Sequence, residues 1–411
     1  MPLMPLGSRD LHTSRSNAQR GQAMLLLVLL LVVGITGLVY YMIDPTASAL
    51  RRDNQTAEML AKAKNALIGY AASSTTRPGQ LPCPDLITNT PASIPPNIPN
   101  DGIADALVAG NCPSYIGRLP WKTLGIEDLR GAAGERLWYA ASPDFTNSTP
   151  DLFDTDVKGA LTVSQDKAAN VITSQAVAVI FAPGPVLPGQ LRDPANENNP
   201  ANYLDSADGV NNAVLSSFIS AQASPAFNDR LILIDTAALW TIVEKRVARD
   251  MVKLLFQYRS ATGYYPWAAN NFDDDSVDLR RRGGVPMEDA LPTAWGSGGT
   301  PTPPNWMAQD SPNRKWGRLF YYAVADCATQ GAPLPPGCST LTVDGVSKDI
   351  VLITTGPWGT GPTGTNRPST TLSDYVDDIE NNNNNDIFQT PSSTAYARDR
   401  IYTCPGTPGI C

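Results

Sequence analysis

Two aspartate-rich stretches contain the residues best suited to bind a cation. The stretch FDDDSVD holds Asp273, Asp274, Asp275 and Asp278, and the stretch NDGIAD holds Asp101 and Asp105. Clustered carboxylate oxygens are the ligands that calcium prefers, so Asp273, Asp275 and Asp278 form a candidate calcium site. Neither stretch has the EF-hand spacing with its terminal glutamate. A solvated turn is the alternative interpretation of both.

Residues for nucleophilic or nucleotide chemistry are scarce. The only histidine is His12, near the N-terminus, which excludes Ser-His-Asp and Cys-His sites from the rest of the chain. The GxSxG and Walker motifs do not occur. The glycine-rich WGTGPTGT (358–365) lacks the lysine of a phosphate loop, which favours a surface loop. We predict that the protein is not an enzyme and has no cofactor other than candidate calcium, although a two-carboxylate mechanism stays open.

All six cysteines follow residue 80 and fall into three pairs of near neighbours. The pairs are Cys83 with Cys112, Cys327 with Cys338, and Cys404 with Cys411. Six cysteines allow other connectivities, so local pairing is a hypothesis. An even number of cysteines fits an oxidising compartment, and free buried thiols are the alternative.

The elements that must position these residues begin with an apolar run. Ala23 to Ile43 covers 21 residues without a charge, which as a helix spans about 30 Å, enough to cross a bilayer core. Arg9, Arg15 and Arg20 precede the run and predict a cytoplasmic N-terminus. Beyond it, apolar residues recur at helical spacing between 50 and 72, which predicts that the helix continues as an amphipathic stem.

The segment RGQAMLLLVLLLVVGITGL, with Arg20-Gly21 directly before the apolar run, resembles the type IV pilin and pseudopilin family. The resemblance implies that a prepilin peptidase cuts between Gly21 and Gln22, and that the N-terminal helix then packs with other pilins or pseudopilins. Where the family has a glutamate, this chain has Leu26, as in minor pilins and tip pseudopilins. An uncleaved signal anchor is the alternative.

The remainder of the chain carries the same landmarks twice in the same order. GQLPCP, GERLWYAAS, AVAVIFAPGP, NYLDS and DRLILI in the first half correspond to GYYPWA, WGRLFYYAV, DIVLITTGP, DYVDD and DRIYTC in the second. Such self-similarity indicates an internal repeat. Each repeat is predicted to be a helix packed on an antiparallel sheet, the order of elements in a pilin head. The second helix is predicted from about Ala237 to Ser260.

We therefore predict an α+β fold with a long N-terminal transmembrane helix that continues into a pilin-like head, followed by a second tandem head. The predicted segments are a cleaved leader (1–21), a transmembrane and amphipathic stem (22–72), a first head (73–235) and a second head (236–411). The pilin resemblance further implies that Cys404 and Cys411 close a C-terminal disulfide loop.

The predicted function is that of a minor pilin or pseudopilin, a structural subunit of a bacterial type IV pilus or type II secretion-like assembly, with a tip or initiating position as a further hypothesis. The predicted location is the inner membrane in a single pass, with the heads periplasmic or extracellular. A net charge of −8 without a long basic run excludes nucleic acid as a partner. The alternatives are a signal-anchored binding protein or adhesin and an anchored hydrolase.

Overall fold

The structure is a computed structural model that describes residues 16–43, 45–86, 100–147, 153–269, 281–286, 294–307, 316–329, 338–356, 371–378, 380–383, 385–391 and 399–404. The chain divides into two compact units, Met1–Ala57 and Glu58–Cys411. The first unit is helical where it is described. The second unit combines helices with mixed β-sheets and is therefore α+β.

The helices and strands have the following bounds. The helices are α1 (Ser16–Ile43), α2 (Pro45–Ser73), the single turn α3 (Pro143–Thr146) and α4 (Thr236–Thr262). The first strands are β1 (Ile116–Arg118), β2 (Trp138–Ala141), β3 (Leu161–Gln165), β4 (Val171–Ala182), β5 (Ser206–Ala207), β6 (Val210–Asn211), β7 (Ser217–Ser220) and β8 (Arg230–Asp235). The later strands are β9 (Arg282–Gly284), β10 (Phe320–Val324), β11 (Leu341–Val343), β12 (Val346–Lys348), β13 (Ile350–Thr354), β14 (Ile387–Phe388) and β15 (Arg400–Cys404).

The prediction of a transmembrane stem is wrong. Within the described residues, no helix combines the length and the apolar character that crossing a membrane requires. The predicted single-pass location in the inner membrane, with a cytoplasmic N-terminus and exported heads, depended on that stem and is contradicted with it.

The first sheet is organised by β4, its longest strand. The C-terminal part of β4 lies between β2 and β8 and is antiparallel to both. Its N-terminal part pairs with β3 instead. β1 extends the sheet beyond β2, and β7 runs parallel to β3. One end of the sheet therefore has the order β1-β2-β4-β8, and the other end has β4-β3-β7.

The second half of the unit has the same strand order in two smaller sheets. β9-β10-β13-β15 is antiparallel throughout and matches β1-β2-β4-β8. The sheet β12-β11-β14 matches β4-β3-β7, including the parallel pairing of the last strand. We call residues 58–235 the first module and residues 236–404 the second module. The domain boundary near 235 stays a prediction.

A buried tyrosine makes the same contact in each module. The hydroxyl of Tyr139 in β2 donates to the carbonyl oxygen of Pro82 at 3.2 Å, and the hydroxyl of Tyr322 in β10 donates to that of Pro266 at 3.0 Å. Both side chains are fully buried, so each hydroxyl needs a partner. The contact fastens the segment after the helix to the sheet in both modules.

The prediction of purely antiparallel sheets is wrong in one respect. The β3–β7 and β11–β14 pairs are parallel, so the sheets are mixed. A parallel pair needs a long connection, and in each of these two pairs the last strand follows a long stretch of chain, residues 183–216 and 355–386. Alternation of apolar residues indicates that a strand exists, but it does not fix the direction in which a distant strand returns.

One hydrophobic core is shared by both modules. It includes Leu60 and Leu67 of α2, Val243 and Met251 of α4, and inward-facing residues of the first sheet and of the two smaller sheets. A second cluster lies on the other face of the first sheet and includes Trp138, Val179, Phe181 and Phe218. Neighbours in one strand therefore belong to different clusters, because successive side chains of a strand point to opposite faces.

α4 begins and ends with the signals expected of a stable helix. The Asp235 carboxylate accepts hydrogen bonds from the backbone N–H groups of Ala237 (2.7 Å) and Ala238 (3.2 Å), which satisfies donors left free in the first turn. Gly263 ends the helix in the left-handed conformation with φ of 86°, which glycine adopts without steric cost. Asp235 is also the last residue of β8, so no linker separates the modules.

Two disulfides join Cys83 to Cys112 and Cys327 to Cys338. These are two of the three local pairs that the spacing suggested. The third pair lies outside the described residues because Cys411 is not among them. Both bonds close excursions of the chain next to a sheet, one before β1 and one between β10 and β11.

Candidate functional site

The exposed apolar side chains of α1 form the most distinctive surface of the first unit. Twelve large apolar residues between Met24 and Leu38 each expose between 50% and 72% of their surface. Contiguous apolar surface of this extent marks an interaction site in a folded protein. We call residues 23–38 the apolar run of α1. It has no charged residue, so its association would be driven by burial rather than by ion pairs.

The predicted processing site lies at the start of this helix. Gly21 and Gln22 are both within α1, just before the residues 23–38 whose exposure is described. The cleavage between them therefore stays a prediction. Leu26, which stands where the pilin family has a glutamate, belongs to the apolar run and exposes 60% of its surface.

A buried carboxylate holds the loops of the first module together. Asp229, directly before β8, accepts hydrogen bonds from the backbone N–H of Asp205 (2.7 Å) and from the side-chain amide of Asn212 (3.1 Å). Asn212 in turn bonds both the N–H and the carbonyl of Ile219. Asp205 accepts from the N–H of Asn228 at 2.7 Å and from Gln190 at 2.8 Å. The arrangement orders the long excursion between β4 and β8.

The environment of Asp229 favours its protonated form. Burial raises the pKa of Asp229 to about 7, and the neighbouring Asp205 carboxylate adds to this, against the opposing effect of the hydrogen bonds and of Arg192. Its Oδ1 atom is buried and has no hydrogen-bond partner within the described residues. A proton on this oxygen would remove the cost of burying a charge.

The second module repeats this arrangement with Asp399, directly before β15. Its carboxylate accepts from the backbone N–H groups of Asp377 and Asp378, both at 2.8 Å. Asn381 bonds the N–H and the carbonyl of Gln389, as Asn212 bonds Ile219 in the first module. The acids of the repeated landmarks NYLDS and DRLILI thus meet in space, and so do those of DYVDD and DRIYTC.

Asp85 holds a third loop of the first module. Its carboxylate accepts from the N–H groups of Asn100 (2.8 Å) and Gly102 (2.7 Å). Burial raises the pKa of Asp85 to about 6 against the effect of these hydrogen bonds, and Asp101 and Asp105 raise it further. Asp105 accepts from the N–H of Leu86 at 3.2 Å. Asp105 is therefore buried in a folded loop, whereas Asp101 is half-buried and accepts a hydrogen bond from the N–H of Ile103 at an exposed bend.

A buried ion pair connects the two modules. The guanidinium of Arg318, before β10, contacts the Asp154 carboxylate at 2.7 Å and the Asp156 carboxylate at 3.0 Å. Burial alone would lower the pKa of Arg318, but the two carboxylates outweigh it and raise that pKa. Asp154 is fully buried, so the pair is shielded from water and from salt.

A buried arginine also lies under the loops of the first module. The Arg118 guanidinium stacks on the rings of Trp138 (4.2 Å) and Tyr203 (4.1 Å), and it donates to the carbonyl of Glu197 at 2.9 Å. Burial lowers the pKa of Arg118 to about 10. Among the described residues no carboxylate pairs with Arg118, and stacking of this kind stabilises such a cation.

The described residues contain no group of three or more histidine, cysteine or acidic side chains that could hold a metal. The candidate calcium ligands Asp273, Asp275 and Asp278 lie outside the described residues and are not tested. The buried acids that order the three loops, Asp85, Asp229 and Asp399, were not selected from the sequence. Their signal was present, since Asp229 and Asp399 occupy equivalent positions in a repeated landmark.

Comparison of the chain with protein-family models, with curated proteins and with solved structures finds no match.

Proposed function

We propose that this protein is a structural subunit of a bacterial fibre or secretion machine, a minor pilin or pseudopilin that assembles through the apolar run of α1. The observation that carries the proposal is the exposure of that run along its whole length. An apolar helix exposed on every side lowers its free energy when it packs into a bundle of similar helices. The resemblance of RGQAMLLLVLL to pilin N-termini supports the same partner.

The chemistry of the second unit agrees with a structural role. Its buried carboxylates accept hydrogen bonds from the backbone of the loops that they order. A carboxylate that already accepts hydrogen bonds from backbone N–H groups in this way stabilises the fold. The tandem modules would form a large head on the assembling helix, which suits a subunit present in few copies. Its position at the tip of the fibre is part of this proposal.

Two measurements test the proposal. Mass spectrometry of the intact chain, from cells with and without prepilin peptidase, should find an N-terminus at Gln22 only when the peptidase is present. The second measurement is the incorporation of Leu30→Arg into fibres. Leu30 exposes 68% of its surface, so a charge there should leave the fold intact and prevent helix packing.

Val186→Arg is the matched control, because Val186 is an apolar residue of the head with 55% exposure. It should enter assemblies at the level of the unsubstituted chain. An intact leader in both strains would contradict the proposal, and so would equal incorporation of Leu30→Arg and Val186→Arg. In that case binding of a protein or glycan by the tandem modules becomes the better hypothesis.

A further inference from the structure

A groove of about 750 Å³ lies between α4 and β15 in the second module. Its apolar floor includes Val252 and Phe256 of α4 and Tyr402 of β15. β15 is the terminal strand of its sheet, and among the described residues no strand pairs with its outer edge. An edge strand beside an apolar groove is the arrangement to which an extended segment can add as a further strand.

The same junction is closed in the first module. The motifs LIGY (67–70) and LFQY (255–258) align α2 with α4, which makes Lys64 equivalent to Val252. Strand pairing likewise makes Leu233 of β8 equivalent to Thr403 of β15. Ile180 of β4 and Leu352 of β13 are counterparts, because each pairs with the buried tyrosine of its module. Leu233 lies one residue after the partner of Ile180, and Thr403 lies one residue after the partner of Leu352. The ammonium group of Lys64 donates to the carbonyl of Leu233 at 2.9 Å. Val252 cannot make this contact, and Val252 and Thr403 both line the open groove.

The rim of the groove is basic. Lys245, Arg249 and Lys253 follow one another at four-residue intervals on α4, which puts them on one face of the helix. All three side chains are exposed, and Arg249 and Lys253 line the groove. Neither of these two forms a hydrogen bond or an ion pair within the described part of the chain. Asp250, the acid at the groove, is engaged by Arg246 at 3.0 Å.

We propose that this groove binds an extended, acidic segment of a partner protein, which adds to β15 as a further strand. Main-chain hydrogen bonds to β15 would supply part of the affinity. Alternate side chains of the segment would enter the apolar floor formed by Val252, Phe256 and Tyr402. Carboxylates of the segment would face Arg249 and Lys253, which selects acidic segments over basic ones.

The test uses a fluorescein-labelled peptide of alternating valine and glutamate, with both ends blocked, and its valine–lysine counterpart. Anisotropy titrations with the full chain should show binding of the acidic peptide only. The double variant Arg249→Glu/Lys253→Glu should weaken that binding by about tenfold or more, because two favourable contacts become repulsive. Lys167→Glu, on the exposed turn between β3 and β4, is the matched charge control and should bind as the unsubstituted chain does.

Two further results separate strand addition from loose electrostatic association. Hydrogen exchange of the backbone amides in β15 should slow when the acidic peptide binds. Val252→Lys should abolish binding, because it places a lysine where Lys64 closes the first module. Val252 is buried, so the fold of this variant is checked by circular dichroism. If Val252→Lys does not fold, the double variant Arg249→Glu/Lys253→Glu, whose substitutions are at exposed positions, tests the proposal without it.

The proposal is overturned by equal affinity for the acidic and basic peptides, by binding that Arg249→Glu/Lys253→Glu leaves unchanged, or by unaltered exchange in β15. Self-association that the double variant abolishes would assign the groove to a second copy, and stronger binding to anionic lipid vesicles than to the peptide would assign it to a lipid surface. Either result would also overturn it. The processing and incorporation assays described above do not depend on this groove.

Discussion

Asp229 should make the stability of this protein fall as the pH rises through neutrality. The pKa of this carboxyl is about 7 in the folded chain, against an ordinary value of 3.8. Between these two values the folded state keeps the proton and the unfolded state releases it. The stabilisation is therefore complete below pH ~4 and is lost as the pH rises through ~7.

The magnitude follows from the difference between the two pKa values. About three pH units at ~1.36 kcal/mol each give a total change of about 4 kcal/mol in the free energy of unfolding. About 2 kcal/mol of this change falls between pH 5 and pH 7, the range in which the assay is done. Because Asp229 is 2% exposed, solvent screening does not reduce the effect.

Asp229→Asn should remove this dependence. An asparagine carbonyl can still accept from the Asp205 N–H and from Asn212, so the loop should stay in place. Urea denaturation of the full chain, followed by tryptophan fluorescence, measures the free energy of unfolding at pH 5, 6 and 7. The difference between the variant and the unsubstituted chain cancels the contribution of Asp85, which has the same sign. If the two chains lose stability in parallel within ~0.5 kcal/mol over this range, the assignment of a protonated Asp229 is refuted.

Three further predictions concern stability and use thermal or urea denaturation. Asp154→Ala should lower the free energy of unfolding by about 3–5 kcal/mol, because it leaves the buried Arg318 with one carboxylate instead of two. A decrease below ~1 kcal/mol would show that the ion pair is not shielded from water. Removal of the Cys83–Cys112 bond, which closes the longer loop, should cost ~1 kcal/mol more than removal of Cys327–Cys338 on the chain-entropy estimate, and the reverse order would contradict that estimate. Gly79→Ala should destabilise the fold strongly, since φ at Gly79 is +97° and an added Cβ would overlap the Trp240 ring. Gly69→Ala should instead stabilise the fold by about 0.5–1 kcal/mol, because Gly69 lies within helix α2 and an added Cβ there meets nothing. Equal effects of the two substitutions would disprove the packing at Gly79.

Local patterns located several elements of the second unit. The apolar spacing predicted a helix from about Ala237 to Ser260, and α4 runs from Thr236 to Thr262. The apolar runs of the landmarks AVAVIFAPGP and DIVLITTGP lie in β4 and β13. The helix is predictable from its apolar spacing, and the two strands are predictable because each is a continuous, β-branched apolar run bounded by turn residues.

The loop carboxylates could not be located in this way. The partners of Asp229 are the N–H of Asp205 and the amide of Asn212, which lie 24 and 17 residues away. Nothing in the local sequence of Asp229 indicates that it will be buried. The parallel pairings of β7 and β14 could not be predicted for the same reason, because they depend on how a distant stretch of chain returns to the sheet.

The interpretation of the apolar run failed for another reason. Hydropathy measures how readily residues 23–43 leave water, and it does not distinguish lipid from protein as the destination. The predicted membrane crossing is not supported by any helix within the described residues. The exposure of the run remains, and it calls for a partner of matching chemistry.

The direct passage from β8 into α4 has a mechanical consequence. Asp235 ends the strand and caps the helix, so no residue lies between the modules to act as a hinge. α4 contributes to the core that both modules share. A pull applied to either module would therefore be carried by strand β8, helix α4 and the packed side chains around them. The connection between the modules therefore resists bending, and the modules would separate only when the core that they share unfolds.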